Sequence, residues 1–145
     1  MRAVVQRVRE ASVSVDGEVV AETSAGLVVL LGVARADAFP EAERLAGKVA
    51  RLRIFENDEG RFDRSLLDAA GEALVVSQFT LLADTRKGNR PSFTDAAAPE
   101  VAERVYERFC ETLEHEGVRV GRGRFGARMQ VSLVNDGPVT IVLDA

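Results

Sequence analysis

The sequence has one histidine, one cysteine and no tryptophan among its 145 residues. A lone cysteine, Cys110, can form no internal disulfide, which fits a reducing cytoplasm. One histidine and one cysteine leave no soft-ligand set for zinc, so neither a metal centre nor a cofactor is expected. A Ser-His-Asp or Cys-His mechanism needs a histidine base beside its nucleophile. The sole candidate, His115, lies between Glu114 and Glu116 at an expected helix end, where a cation favours the helix dipole. Cys110 follows Phe109 on the same helix and reads as packing. No apolar run approaches the roughly 18 residues that a membrane span requires; the longest is Gly26 to Ala34. The opening residues, Met1 to Arg7, lack a signal-peptide apolar region and read as the start of a strand. There is no Walker loop, and Gly121 to Gly126 matches a dinucleotide-binding glycine pattern only loosely, with no helix following.

What is present is ordinary globular composition: 46% hydrophobic and 29% charged residues. A chain of 15.7 kDa is the size of one domain, residues 1–145. Area scaling gives about 7,300 Å² of folded surface against about 22,800 Å² unfolded, enough burial for a core without staples. The net charge of −4 argues against a general nucleic-acid coat. Its distribution is uneven. Residues 85–94 carry Arg86, Lys87 and Arg90 without an acid, and residues 117–135 carry Arg119, Arg122, Arg124 and Arg128 without one. Two basic loops on an acidic body suit a localised phosphate contact, or are solvated surface.

Along the chain, residues 2–8 read as a strand. Ser12–Val15 and Glu18–Val20 flank Asp16-Gly17, a strong hairpin signal. Leu27 to Val33 is a continuous apolar run, as in a strand buried on both faces. Ala42, Leu45, Ala46, Val49 and Leu52 follow helical spacing after Asp37 and Pro40. Asn57 to Gly60 is a turn, and Leu74 to Leu82 reads as another strand. Val101, Ala102, Val105, Phe109 and Leu113 mark a second helix opened by Pro99. Strand-like segments follow at 118–120, 128–134 and 139–143. The pattern predicts an α/β domain with more strand than helix.

Two segments are unusual. Strand periodicity over Leu74–Leu82 places Gln78 and Thr80 on one face with Leu74, Val76 and Leu82. A buried amide and hydroxyl need partners, either in the core or at the floor of a pocket. Asn135-Asp136-Gly137-Pro138-Val139-Thr140 interrupts two expected strands with a Gly-Pro pair. Proline makes a cis bond accessible and glycine permits close approach, while a plain hairpin turn would also use these residues.

Ser77-Gln78-Phe79-Thr80-Leu81 together with Asn135 to Thr140 resembles the D-aminoacyl-tRNA deacylase family. The likeness extends through Val5 to Val8, Ala11 to Val13, Gly26 to Val33, Arg90-Pro91-Ser92-Phe93, Gly123 to Phe125 and Met129 to Val134. It implies a single-domain α+β fold: a mixed, mostly antiparallel, barrel-like sheet with two main helices. It also implies a homodimer hydrolysing the ester of D-aminoacyl-tRNA, with no membrane partner. Carried over, Gly137 and Pro138 reach in cis form into the partner's pocket and hold the substrate amine with backbone carbonyls, excluding an L side chain. Gln78 and the N–H groups of Phe79 and Thr80 face the reacting carbonyl and terminal adenosine, beside Ser77. Arg7 braces the Gly-Pro segment, and Phe125 and Met129 form pocket wall. The ester is already activated, so positioning and oxyanion stabilisation can suffice, with the substrate's ribose 2′-OH in place of a side-chain base. A Thr80 nucleophile is the competing idea. A non-catalytic RNA-end binder and a general small-ester hydrolase are the alternative functions, and the missing base favours the binder.

Overall fold

A computed structural model describes residues 1–145. The order is β1 (Arg2–Val15), β2 (Glu18–Thr23), β3 (Gly26–Gly32), α1 (Phe39–Arg51), β4 (Phe55–Glu56), β5 (Phe62–Arg64), β6 (Glu72–Ser77), a 3-10 turn (Phe79–Leu82), α2 (Pro99–His115), β7 (Arg119–Arg122) and β8 (Gln130–Asp144). The main sheet runs β2-β1-β3-β6-β7, with β8 paired to β1 as well; β4 and β5 form a small hairpin. Pairings of β1 with β2, β3 and β8 are antiparallel, whereas β3–β6 and β6–β7 are parallel.

Asp16 and Gly17 both take positive φ (51° and 81°), the geometry that lets a two-residue loop follow strand twist. Parallel neighbours need crossovers: α1 lies between β3 and β6, α2 between β6 and β7, and both helices share one core with the sheet. Leu27, Val29 and Leu31 face that core with Ala73 and Val75. Val28 points the other way, into a second cluster with Leu74, Val76, Val8 and Val13. Burial on both faces is why the β3 run lacks alternation. On the helices the buried faces are Ala42, Leu45, Ala46, Val49 and Ala50 of α1, and Ala102, Val105, Tyr106, Phe109, Cys110 and Leu113 of α2. The sheet curls until Gly121 of β7 lies against Thr23 and Ala21 of β2, nearly closing a barrel.

The structure departs from the sequence pattern in three places. Residues 2–8 and 12–15 belong to one long strand, β1. The expected strand Leu74–Leu82 ends at Ser77: the ladder with β3 stops at Leu31↔Ser77, and without a neighbour the chain closes a turn from Leu81 N–H to Gln78 O (3.1 Å). Gln78 and Thr80 therefore do not sit mid-strand on an apolar face; Gln78 is half-buried and Thr80 exposed. Finally, Asn135 to Thr140 is not a turn between two strands. β8 runs through it with a bulge, the register jumping from Gln6↔Thr140 to Val8↔Asn135, so that Asp136 to Val139 loop out opposite Arg7.

Candidate functional site

A cavity of about 540 Å³ opens where β6 ends, between the 3-10 turn, the segment before α2 and the segment before β8. Ser77, Gln78 and Phe79 line one side, Phe125 and Met129 another, and Phe93 the mouth. Phe79 remains 55% exposed and meets Phe93 edge-to-face, with ring centroids 5.1 Å apart. Two exposed aromatic rings at the lip of an apolar cavity mark a place for a flat ligand. Gln78 Nε2 donates to Thr80 Oγ1 (2.5 Å), which fixes the amide plane; Thr80 itself is outside the wall. The turn's own bonding starts at Leu81 N–H, and the first N–H groups of a helical turn have no carbonyl within it. Phe125 is backed by Tyr106 (6.1 Å between ring centroids), whose hydroxyl donates to Val75 O at 2.8 Å.

None of the 15 lining residues ionises in the physiological range. His115 is exposed at the last position of α2. Cys110 is fully buried, and burial pushes its thiol up to about 12. The cavity can therefore hold, orient and donate hydrogen bonds, but it offers no side-chain acid–base pair.

The other residues singled out in the sequence gather elsewhere. Arg7 is 6% exposed, and its guanidinium donates to Ile54 O (2.8 Å) and to Asp136 O (3.2 Å). It also pairs with Glu56 (3.4 Å) and lies 5.6 Å from the Phe62 ring centroid. A buried arginine with this many acceptors is a bracket between the β8 bulge and the β4–β5 hairpin. Asn135 completes it, its Nδ2 donating to Arg7 O (2.9 Å) and Val139 O (3.1 Å) across the neck of the bulge. The Gly137-Pro138 bond is cis, and both residues are exposed. Within one chain the bulge and the cavity are separate: Arg7, Gly137 and Pro138 do not line it. Phe93, Asn135, Glu56 and Phe62 carry no role that a local sequence pattern assigns; an isolated aromatic in a polar loop is the one signal for Phe93.

The basic loops are less basic than their sequence implies. Arg86 pairs with Asp84, Arg119 with Glu72, and Arg122 with both Glu107 and Glu114. The Arg86 guanidinium holds the Asp84 carboxyl at about 2. Lys87, Arg90, Arg124 and Arg128 form no ion pair within the chain. A second groove, about 690 Å³ and lined by Arg9, Glu22, Glu72 and Arg119 among others, is more polar and more open, and its Glu72 carboxylate is already occupied by Ser24 and Arg119.

Comparison with known proteins supplies the context for this geometry. The family model described as D-Tyr-tRNA(Tyr) deacylase matches residues 4–144. A D-aminoacyl-tRNA deacylase of Roseiflexus castenholzii is 63% identical over 145 residues, covering all of this chain and 92% of its own. One from Ruegeria pomeroyi is 57% identical over 144 residues, covering 99% of both. Among solved structures, one titled c-Myc DNA Unwinding Element Binding Protein superposes with TM-score 0.94 at 44% identity, covering 100% of this chain and 99% of its own. A probable eukaryotic D-amino acid tRNA deacylase has the same fold (TM-score 0.85, 20% identity), covering 99% and 98%. No helix is long and apolar enough to cross a membrane. With a match that spans nearly every residue and relatives this similar over their whole length, the chain belongs to the D-Tyr-tRNA(Tyr) deacylase family.

Proposed function

We propose that the protein hydrolyses the ester joining a D-amino acid to the 3′ end of tRNA, and accepts achiral glycine by the same logic. The observation that carries this reading is a cavity lined by an amide that its neighbour fixes and by the first residue of the turn, without any titratable side chain. Such a site suits a substrate that is itself activated, as an aminoacyl ester is. Gln78 and the N–H groups of Phe79 and Thr80 receive the carbonyl as negative charge develops on it. Ser77, Phe125 and Met129 wall the terminal adenosine. Water attacks the carbonyl carbon, the bond to the 3′ oxygen breaks, and the neighbouring 2′-OH assists proton movement. Thr80 serves here by holding Gln78, since no neutral base stands by to activate its hydroxyl.

Chirality is set by exclusion. The Gly137-Pro138 bulge of one protomer enters the cavity of its partner, takes the substrate amine on backbone carbonyls and leaves no room for an L side chain. Arg7 holds the bulge in place. Two observations support a dimer. The isolated chain exposes 8338 Å², about 1,000 Å² above what its mass requires, and one partner's share of a stable interface is about 800 Å². β8 is also a 15-residue edge strand with Val131, Val134 and Val142 exposed, the kind of edge that proteins cover. Lys87, Arg90, Arg124 and Arg128 meet acceptor-stem phosphates, and the compartment is the cytoplasm.

The lack of a base also fits a non-catalytic binder of RNA ends. D-Tyrosyl-tRNA, its counterpart ending in 2′-deoxyadenosine and D-tyrosine methyl ester separate the readings. The proposal expects fast loss of the first, slow loss of the second and negligible action on the third. Retention of tRNA without cleavage would support the binder, rapid methyl-ester cleavage a general esterase, and equal rates on both tRNAs would remove the 2′-OH from the mechanism.

A further inference from the structure

β3 ends on Gly32, and the ladder with β6 ends one residue earlier, at Leu31↔Ser77. Just beyond, the chain leaving β6 crosses the end of β3. Gln78 N–H donates to Leu31 O (2.8 Å), and the turn Phe79–Leu82 rests over Gly32, which is buried. Gly32 does not have a positive φ, so backbone conformation does not demand glycine there. Space does. A methyl on its Cα would overlap Leu82 Cδ2 and stand 3.1 Å from both Gln78 O and Leu81 Cβ. The end of Leu82 can rotate away. Gln78 O and Leu81 Cβ belong to the main-chain frame of the turn and give way only if the turn moves. Gln78 O is also the acceptor for Leu81 N–H (3.1 Å), so pressure on it falls on the bond that closes the turn. Arg2 grips the same turn through Leu81 O (3.3 Å), its Nε meanwhile bound to Asp144 (2.7 Å).

We propose that Gly32 is a positioning residue: the missing side chain sets the height of the Gln78–Leu82 turn, and so where the Gln78 amide and the Phe79 and Thr80 N–H groups stand relative to the ester. This rests on the reading that the turn receives the reacting carbonyl. Gly32 lies outside the cavity wall and acts only through the turn. Misplacing a catalytic frame by about 1 Å costs roughly 10²-fold in rate, so a shift of a few tenths of an ångström should cost about 10-fold.

The test measures kcat and KM on D-tyrosyl-tRNA for the wild type, Gly32→Ala, Leu82→Ala and the double variant Gly32→Ala/Leu82→Ala, each with its melting temperature and its D-over-L ratio. The expected result is about a 10-fold fall in kcat for Gly32→Ala, with KM within about twofold and the D-over-L ratio retained, because the filter sits on β8. Leu82→Ala alone lowers the melting temperature and gives the reference kcat against which the double variant is read. The double variant has room at Leu82 but keeps the methyl against Gln78 O and Leu81 Cβ, so it shows the same kcat deficit relative to Leu82→Ala, and it carries the test if the single variant does not fold. A wild-type kcat in Gly32→Ala, or a kcat in the double variant equal to that of Leu82→Ala, would overturn the proposal, as would a change confined to KM. An inactive wild type would instead remove the functional reading on which the proposal rests.

Discussion

At Gly137 the backbone and the surroundings make the same demand. Its φ is +124°, and a Cβ there would meet Val139 Cγ2 at 2.9 Å and Arg7 Nη2 at 3.0 Å. Gly137→Ala must therefore move the bulge or its arginine bracket, and we expect the D-over-L rate ratio on tyrosyl-tRNA to fall at least 10-fold while the protein stays folded. An unchanged ratio in that assay would separate chirality from the bulge. Cys110 gives a second expectation at this scale. With its thiol pushed up to about 12 by burial, it carries almost no thiolate at pH 8. Iodoacetamide should leave the native protein unlabelled for hours and label it within minutes in urea. Individual residues are legible in the sequence where chemistry is out of place: Gln78 inside an apolar run, a Gly-Pro pair interrupting a strand-like pattern, a histidine flanked by glutamates. Arg7 was legible only through the resemblance, because its four partners come from three distant segments: Ile54 O, Glu56, the Phe62 ring and Asp136. No local pattern encodes such a meeting.

Elements were easier to read where periodicity alone determines them. Both helices, the Asp16-Gly17 hairpin and the buried β3 run follow from spacing, because one face or two faces of each must find the core. Leu81 and Leu82 carry the apolar run past the end of β6, while the end of its partner β3, which stops the strand, is a tertiary fact. The same holds for the bulge, which looks like a turn until β1 is seen running past it. α2 carries a simple stability expectation: Phe109 is fully buried between helix and sheet, so Phe109→Ala should lower the urea-unfolding free energy by about 3–5 kcal/mol. The 84–92 loop carries a pH expectation. Its base is the Asp84↔Ser92 bridge, with the Asp84 carboxylate accepting from Arg86. Since the folded value, about 2, lies below the ordinary 3.8, the carboxylate's contribution is complete above 3.8 and vanishes as pH falls through 2. Amide protection factors of residues 85–92 should fall over that window and stay flat from pH 5 to 8.

For the whole molecule, the governing feature is that one chain holds the two parts of the proposed site apart. The cavity with Gln78 lies on one part of the fold and the bulge with Gly137 on another, so the proposed chiral filter requires a second copy. Sedimentation at micromolar concentration should give a species of twice 15.7 kDa, with activity falling on dilution as it dissociates; a fully active monomer would refute the shared site. The same account predicts what a direct assay must see. D-Tyrosyl-tRNA and L-tyrosyl-tRNA, incubated with the protein at neutral pH with and without EDTA, should part sharply: rapid release of D-tyrosine, L-tyrosyl-tRNA decaying only at its spontaneous rate, and no difference on chelation. Equal rates for the two esters, or hydrolysis abolished by EDTA, would contradict it.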